Sequence, residues 1–391
     1  MNRLLFFIFV IAMLIFSGIT ATETAEAMPF FSRQVSKNCT FCHSAFPKLN
    51  ETGRIFRSNG YRFAENAEDG WKEVKDANTL PLSAEVELEG KYNMDKKSGA
   101  RTTSSDMAVE EIELSTAGAM GQTGKISALA MIAVEQVDPS GGGTATYEAS
   151  IPSAFVQVND LIGPMGEGRL NVKAGQWEIA LPFLSSWQGV VKNRYLAEKT
   201  LNIFTSSQRA IELNGSVVAP EKSTRPTHRY SVGLAREDVR SDAKLQGYYA
   251  TYTATLMEKY NLGVIYRYDK EMSTGPDIIN RKYGIAGEAE VGPAFITLGY
   301  FNATPDGGNY TTNYLAEALL MPTPALVFGA RYDVVKEKGK TAANAATLTA
   351  RYNILSNVFT QLEYRNLKDD DHVTDSNEDE DRIRLLLVAL F

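Results

Sequence analysis

Most of the chain after residue 82 alternates between polar and apolar residues with a period of two. In residues 85–92 the odd positions are charged and the even positions are apolar or Gly. In residues 248–256 the even positions hold Tyr, Ala and Leu, and the odd ones are mostly Thr. Because successive side chains of a β-strand point to opposite faces, this pattern predicts strands with one apolar and one polar side.

About sixteen such strands can be placed along the chain. They fall at 83–94, 107–120, 124–136, 152–161, 168–180, 209–218, 227–238, 245–257, 261–269, 282–291, 294–303, 312–321, 324–335, 343–353, 357–367 and 382–391. Short links such as 292–293 alternate with longer polar ones such as 270–281. Short turns at one end and long loops at the other are typical of an antiparallel outer-membrane β-barrel.

The final strand closes on an aromatic residue. One of its faces is apolar and holds Ile383, Leu385, Leu387, Ala389 and Phe391. Arg382 and Arg384 lie on the other face and are expected to point into the lumen. This ending resembles the C-terminal signal of bacterial outer-membrane proteins. The alternative is a soluble β-sandwich or barrel, in which the apolar faces would point inward instead.

Two of the long links differ from ordinary exposed loops. Residues 183–208 are rich in apolar and aromatic side chains, so we expect this loop to fold inward and constrict the lumen, the alternative being a short surface helix. Residues 369–381 hold eight carboxylates and His372. Carboxylates are ligands for hard metal cations, although a run of charge is more often a solvated loop tip.

The first residues have the form of a secretory signal. Arg3 precedes an unbroken apolar run over 4–16, and Ala25-Glu26-Ala27 has the small-x-small form of a cleavage site. This run is shorter than the about 20 residues that a membrane-spanning helix needs, which favours a signal peptide over 1–27. The formal net charge of the whole chain is −7, which argues against a nucleic-acid partner.

The strongest chemical signal follows shortly after this signal peptide. Cys39, Cys42 and His43 form the run Cys-Thr-Phe-Cys-His, and the chain has no other Cys. This is the attachment pattern for c-type heme: each thiol bonds one vinyl group of the porphyrin, and the His ligates the iron. A bare redox dithiol would give the His no purpose. A zinc site would need two more ligands, and His228 and His372 lie far downstream. We therefore predict one heme c.

The residues after the motif predict a short helix and a basic surface. Phe46, Leu49, Gly53, Phe56 and Gly60 recur at steps of three and four, which is one face of a helix that could cover the porphyrin. Between residues 28 and 63 there is one acidic residue and six basic ones: Arg33, Lys37, Lys48, Arg54, Arg57 and Arg62. Some of these cations could pair with heme propionates, and we expect most to be solvated.

No local residue is an obvious second axial ligand for the iron. There is no second His between residues 28 and 80, so a local pair of His ligands is ruled out. Met28 could offer its thioether or its α-amine, and Met94, His228 and His372 are further candidates. A five-coordinate iron also remains open.

The order of these motifs resembles a known family. Met-Pro-Phe-Phe-Ser-Arg, Cys-Thr-Phe-Cys-His, Phe-Pro-Lys-Leu-Asn and Asn-Gly-Tyr, followed by a porin-like barrel, are similar to the fused monoheme cytochrome–porins of bacterial outer membranes. The likeness covers the mature chain in architecture and is specific in residues only from Met28 to about Tyr61. It implies heme attachment at Cys39 and Cys42 and axial ligation by His43. It also implies electron transfer across the outer membrane from extracellular ferrous iron.

The expected architecture is therefore mainly β. A signal peptide (1–27) and a small α-helical heme segment (28–80) precede an outer-membrane barrel (81–391). A segment of about fifty residues buries too little surface to be stable alone, so we expect it to plug the periplasmic side of the lumen or to sit within it. The expected partners are outer-membrane lipid, a periplasmic c-type cytochrome or similar carrier, and an extracellular metal ion.

Three functions fit the sequence. The first is an electron conduit between an extracellular donor and periplasmic carriers. The second is a diffusion porin in which heme is only a plug or a sensor. The third is a heme peroxidase, which would need an open sixth position and a distal acid–base group such as Arg54 or Arg57.

Overall fold

The computed structural model describes twelve stretches of the chain. They are residues 30–35, 37–64, 81–97, 99–120, 124–137, 146–187, 189–220, 223–236, 247–271, 278–306, 308–371 and 379–391. The predicted signal peptide, Met28 and His372 lie outside the described residues, as do residues 65–80. The boundary between the heme segment and the barrel therefore stays a prediction.

The elements follow the predicted order. Helix α1 (Phe30–Val35), a 3₁₀ turn (Cys39–Phe41), strands β1 (His43–Ala45) and β2 (Lys48–Leu49) and helix α2 (Glu51–Ser58) come first. Long strands then follow: β3 (Ser83–Lys97), β4 (Ala100–Met120), β5 (Ile126–Val137), β6 (Thr146–Ile162), β7 (Leu170–Ile179), β8 (Thr205–Val217), β9 (Thr227–Arg236), β10 (Gly247–Leu256), β11 (Tyr260–Glu271), β12 (Ile278–Val291), β13 (Ala294–Pro305), β14 (Thr311–Thr323), β15 (Leu326–Glu337), β16 (Ala343–Leu355), β17 (Val358–Lys368) and β18 (Asp379–Leu390).

Strands β3–β18 close into one antiparallel barrel. Each strand pairs with its sequence neighbours, and β18 closes the ring on β3, where Leu385 lies opposite Gly90. Each of these sixteen strands overlaps one of the sixteen predicted ones, with differences of up to seven residues at the ends, as at the start of β4. The predicted fold class is confirmed. The end of the barrel where β3 starts and β18 finishes has links as short as 292–293 and 324–325, and is called the short-turn end below.

The two faces of the wall have opposite polarity. On β9, Val232 and Leu234 point outward and are more than half exposed, whereas Arg229 and Ser231 point into the lumen and are buried. Large apolar side chains cover the outward face, whereas the inward face is mostly polar or charged except where it packs against the loop after β7. An exposed apolar exterior of this kind rules out the soluble alternative. A closed barrel with this apolar exterior is built to span a membrane, and such barrels are proteins of the bacterial outer membrane.

The final strand shows the same alternation. Leu385, Leu387 and Phe391 point outward, whereas Arg384 bonds the inward carboxylate of Glu89 and Arg382 lies 3.2 Å from Glu380. Both arginines therefore face the lumen, as predicted. None of the described helices is long and apolar enough to cross a membrane.

The link between β7 and β8 folds into the lumen, which confirms the preferred prediction for this loop. Residues 181–204, called the inward loop below, include Val190, Leu196 and Phe204, which have no exposed surface. Polar groups of the wall bind its backbone: the Glu363 carboxylate accepts from the Lys192 amide at 3.0 Å. One turn of π-helix, Ala197–Leu201, lies within it.

The helix after the motif is shorter than predicted. It begins at Glu51, because the Asn50 side chain caps it by accepting from the Gly53 amide at 3.0 Å. Phe46 belongs to the turn between β1 and β2, because the proline that follows it, Pro47, disfavours a helical backbone at the preceding residue. Phe46 and Leu49 therefore lie before the helix, and Gly60 lies after its end at Ser58, so only Gly53 and Phe56 of the predicted face belong to it.

Candidate functional site

The described residues between 30 and 64, called the N-terminal segment below, lie inside the barrel at its short-turn end. Their wall partners show this position. The segment contacts Arg229 near the start of β9, Asp160 near the end of β6 and Phe359 at the start of β17. All three lie at the end of the barrel where the short turns are. The segment therefore plugs the lumen from this side.

A buried ionic network attaches helix α2 and strand β2 to the wall. Lys48 bonds the Glu288 carboxylate, and Arg54 lies 3.6 Å from the same group. Glu51 binds Arg54 at 3.1 Å and Arg229 of the wall at 2.5 Å. Every one of these side chains is at most 7% exposed. Such pairs are tolerable in the interior only because each charge is matched, so removing one partner is strongly destabilising.

A second attachment fixes the C-terminal end of the segment. Arg62 binds Asp160 at 2.8 Å, and Asp160 also accepts from the amides of Gly166 and Gly168 at 3.0 and 2.8 Å. Asn59 donates to the Gly166 carbonyl at 2.5 Å. Lys48, Arg54 and Arg62 are thus buried and paired with wall carboxylates, which corrects the expectation that most of these cations are solvated.

The N-terminal segment and the inward loop meet inside the lumen. Ala45 packs in one apolar cluster with Val190 of the loop and Leu319 of the wall. Arg351 of the wall bridges the two pieces: it donates to the Phe46 carbonyl and, at 3.3 Å, to the Val190 carbonyl. Segment and loop therefore close the lumen together.

One tight turn positions the predicted heme ligands. The Cys42 amide donates to the Cys39 carbonyl at 3.2 Å, which closes the 3₁₀ turn, and His43 follows directly as the first residue of β1. The Asn50 side chain donates to the Phe41 carbonyl at 3.1 Å and so links the turn to the start of helix α2. Cys39, Cys42 and His43 all line the same cavity.

His43 is oriented as a metal-ligating histidine is. Its Nδ1 lies 3.2 Å from the Pro47 carbonyl, to which it donates, and this leaves Nε2 for a ligand. Burial lowers the pKa of His43 to about 4, with the Pro47 carbonyl opposing part of this shift. The neutral imidazole, which is the ligating form, therefore prevails at pH 7.

Gly53 allows the helix to lie directly on the motif. A Cβ atom at this position would collide with the Cys42 carbonyl and would approach Leu49 Cδ2 to 2.8 Å. Any larger residue must therefore displace the turn that carries the cysteines. Glycine, which has no Cβ, permits this close approach of the helix to the turn.

The two thiols do not have the character of a reactive dithiol. Burial raises the pKa of Cys39, and it raises that of Cys42 to about 11, with a smaller contribution from the neighbouring Cys39. Reactive redox cysteines are found in electropositive surroundings that lower the thiol pKa. The surroundings of Cys39 and Cys42 therefore argue against the bare dithiol.

The cavity beside the motif has a volume of about 280 Å³, close to the lower end of the range of about 300–1,000 Å³ that is usual for ligand pockets. Phe31, Phe56 and Tyr61 line it, and the Phe31 and Tyr61 rings stack at 5.1 Å. Lys37 and Arg57 add positive charge to its lining. Its residues Ser83, Ala84 and Leu390 place it at the short-turn end.

These features together fit a c-type heme. Two thiols at the right spacing and an oriented imidazole lie on one aromatic-lined cavity. Two cations, Lys37 and Arg57, belong to the same lining. Of the two arginines weighed as distal groups for a peroxidase, Arg54 is directed to the wall carboxylate Glu288, whereas Arg57 lines the cavity.

The two other predicted iron ligands within the described residues, Met94 and His228, do not lie at this cavity. Asn93 binds the luminal Arg382, so its neighbour Met94 is on the outward face of β3, toward the opposite end of the barrel. His228 also points outward, where its Nδ1 lies 2.6 Å from the Tyr252 hydroxyl. Among the described residues, no group of three or more His, Cys, Asp or Glu could hold a metal ion.

Some functional residues were not found by sequence reasoning. Met131 of β5 lines the cavity, and Glu288 and Asp160 anchor the segment. The period-two pattern assigns Met131 to the same face as Leu129 and Ala133. That pattern could have shown that Met131 faces the lumen, but not which other luminal residues lie across the cavity from it.

Comparison with known proteins identifies the fold. The structure is similar to an anion-selective porin from Comamonas acidovorans (TM-score 0.57, 11% identity, 79% of this chain and 98% of that chain covered). It is also similar to OmpF of Salmonella typhi (0.57, 12%, 79% and 97%) and to the outer membrane channel DcaP of Acinetobacter baumannii (0.57, 12%, 79% and 97%). No protein-family model matches the sequence, and no curated protein matches it.

The chain thus has the fold of a sixteen-stranded outer-membrane porin. At 11–12% identity, this likeness concerns the fold alone. The heme motif and its cavity are features of this chain's own sequence and structure, and the likeness to porins says nothing about them.

Proposed function

We propose that this protein is an outer-membrane electron conduit, in which the N-terminal segment carries one c-type heme inside a porin-like barrel. The observation that carries the proposal is the position of Cys39, Cys42 and His43 on one cavity within a lumen that the segment and the inward loop close. A heme c held there would supply reversible one-electron iron chemistry. The barrel would bring this redox centre into the thickness of the membrane.

Each residue of the site has a part in this function. Cys39 and Cys42 would form the two thioether bonds, and His43 would ligate the iron through Nε2 while the Pro47 carbonyl keeps its ring fixed. Lys37 and Arg57 would hold the propionates. The wall pairs of Lys48, Arg54 and Arg62 keep the segment in place.

The electron balance is simple. An extracellular donor, for which ferrous iron is our candidate, loses one electron and becomes ferric. A periplasmic c-type cytochrome or similar carrier gains that electron at the short-turn end. The acidic loop 369–381 is a candidate for attracting the cation, and its residues 372–378 lie outside the described part of the chain.

The test uses the full-length protein in liposomes. An external reductant, ferrous iron in one arm, should reduce an acceptor enclosed in the vesicles. Cys39→Ala and His43→Ala should abolish or strongly slow this reduction. Met94→Leu, on the outward face, is the matched control and should conduct like the parent protein. If the Cys39 and His43 variants pass electrons as fast as the parent, the proposed function is wrong.

The second candidate is a diffusion porin, and the comparisons taken alone favour it, because the similar solved structures are porins and channels. It predicts a sizeable ion conductance in planar bilayers. The conduit predicts very low conductance, since the segment and the inward loop together obstruct the lumen. A high conductance of the intact, heme-loaded protein would support the porin and overturn the conduit.

A further inference from the structure

We propose that Met131 of the barrel wall is the second axial ligand of the heme iron, opposite His43. This inference rests on the proposed heme and names a ligand that the sequence left open. A thioether opposite an imidazole is an established ligand pair of c-type cytochromes.

The direction of the Met131 side chain follows from the alternation along β5. Ile132 is half exposed on the outward face, whereas Ala133 is fully buried on the inward one. Met131 precedes Ile132 and is therefore on the inward face, like Ala133. It lines the cavity together with Leu129 of the same face. Its thioether is therefore inside the lumen.

Met131 and His43 lie on the same cavity but belong to different parts of the chain. His43 stands on the N-terminal segment with the two cysteines, and Met131 stands on the wall. A flat group bound to Cys39 and Cys42 would therefore have the segment on one side and could have the wall on the other. That is the arrangement that two axial ligands require.

The neighbours of Met131 leave space for such a group. Its cross-strand partners are Ser115 on β4 and Ser153 on β6, and both also line the cavity. The register of β5 and β6 shifts directly after Met131, before Ala133. Irregularities of this kind redirect side chains and occur next to functional sites.

The chemistry of the lining favours Met131. The cavity lining holds three carboxylates, Glu85, Glu113 and Glu178, which are not among the usual axial ligands of heme iron, namely His, Cys, Met and Tyr. The other candidates in the lining are Tyr61 and Lys37. The Tyr61 ring is stacked between those of Phe31 and Phe155, with centroids at 5.1 and 6.4 Å. Lys37 is exposed and carries a positive charge that must be lost before it can ligate. A neutral thioether needs no such change.

Three consequences follow for the protein. A Met–His pair raises the reduction potential of a heme relative to two imidazoles, which suits the acceptance of electrons from a weak reductant. It also fills the sixth position, which opposes the peroxidase alternative. In addition, the iron would tie the N-terminal segment to the wall, and this link would add to the ionic attachments.

The experiment uses full-length protein purified with its heme. Covalent heme per chain is counted first, and ferric spectra and redox titrations are then compared for the parent, Met131→Leu and Met131→His. The parent should show the weak long-wavelength band of sulfur bound to ferric heme. Met131→Leu should lose this band and have a lower midpoint potential. Met131→His should stay low-spin without the band, which also shows that the fold is intact. Met94→Leu should match the parent.

The outcomes separate the two proposals. If no covalent heme is found in the parent, the proposed function fails and this inference fails with it. If heme is present but the parent lacks the sulfur band, or Met131→Leu retains it, Met131 is not the ligand while the heme stands. Loss of the band in a Met28→Leu variant instead would assign the thioether to Met28.

Discussion

Glu288 holds the N-terminal segment in the lumen, and its removal should loosen the segment. The carboxylate pairs with Lys48 and Arg54 of the segment and is 2% exposed. Glu288→Ala leaves both cations buried without this partner. Breaking a buried pair in this way costs about 3–5 kcal/mol. Because about 1.4 kcal/mol corresponds to a tenfold change, the undocked population should rise about 100-fold or more.

Limited proteolysis measures this population. Arg62 is 3% exposed in the docked segment, so an arginine-specific protease should cleave after it only when the segment leaves the wall. When opening and closing are fast, the cleavage rate follows the open population. Cleavage at Arg62 should therefore be about 100-fold faster or more in Glu288→Ala than in the parent.

Glu380→Ala is the matched control. Glu380 is an equally buried luminal carboxylate, and it pairs with two wall arginines, Arg365 and Arg382, both at 3.2 Å. Its removal creates a similar defect without touching the segment. If both variants are cleaved at the parent's rate, or both equally fast, the ionic attachment of the segment is refuted.

Three further predictions test the motif, the lumen and the barrel. Gly53→Ala should sharply lower the amount of covalent heme per chain, measured on denatured protein, because the new Cβ meets the Cys42 carbonyl. Gly287→Ala, whose new Cβ has its nearest contact at 3.5 Å, should leave the heme content unchanged. Deletion of residues 185–203 together with Glu288→Ala should raise conductance in planar bilayers above either change alone. The deletion alone leaves the N-terminal segment in the lumen, and Glu288→Ala alone leaves the inward loop there. Phe391→Ala should reduce assembled barrel, measured by heat-modifiable gel mobility, whereas Val291→Ala, on an equally exposed outward position, should have little effect.

The strands could be predicted because their information is local. In a wall with lipid on one side and a polar lumen on the other, each residue's polarity reports its own face, so the period-two pattern located all sixteen strands. The inward loop was predictable for the same reason, since side chains such as Leu196 and Phe204 cannot remain in water. The motif behind the proposed heme is equally local, because two thiols and an imidazole must be neighbours to hold one heme.

The surroundings of the motif could not be predicted in this way. Lys48 and Glu288 are 240 positions apart, and their contact depends on how the segment enters the closed barrel. Lysine on a short basic segment has the same local pattern whether it is solvated or buried against a carboxylate. The prediction of mostly solvated cations failed for this reason.

By itself, the sequence determined the barrel and the loop that folds inward, and it supplied the three residues on which the proposed heme rests. Only the tertiary structure decided where in the lumen the segment lies, that wall carboxylates hold it there, and that Met131 rather than Met94 lines the cavity. The physical reason is the closure of the barrel. Joining β18 to β3 brings distant strands around one interior, and no periodicity along the chain records which inward side chains then lie opposite one another.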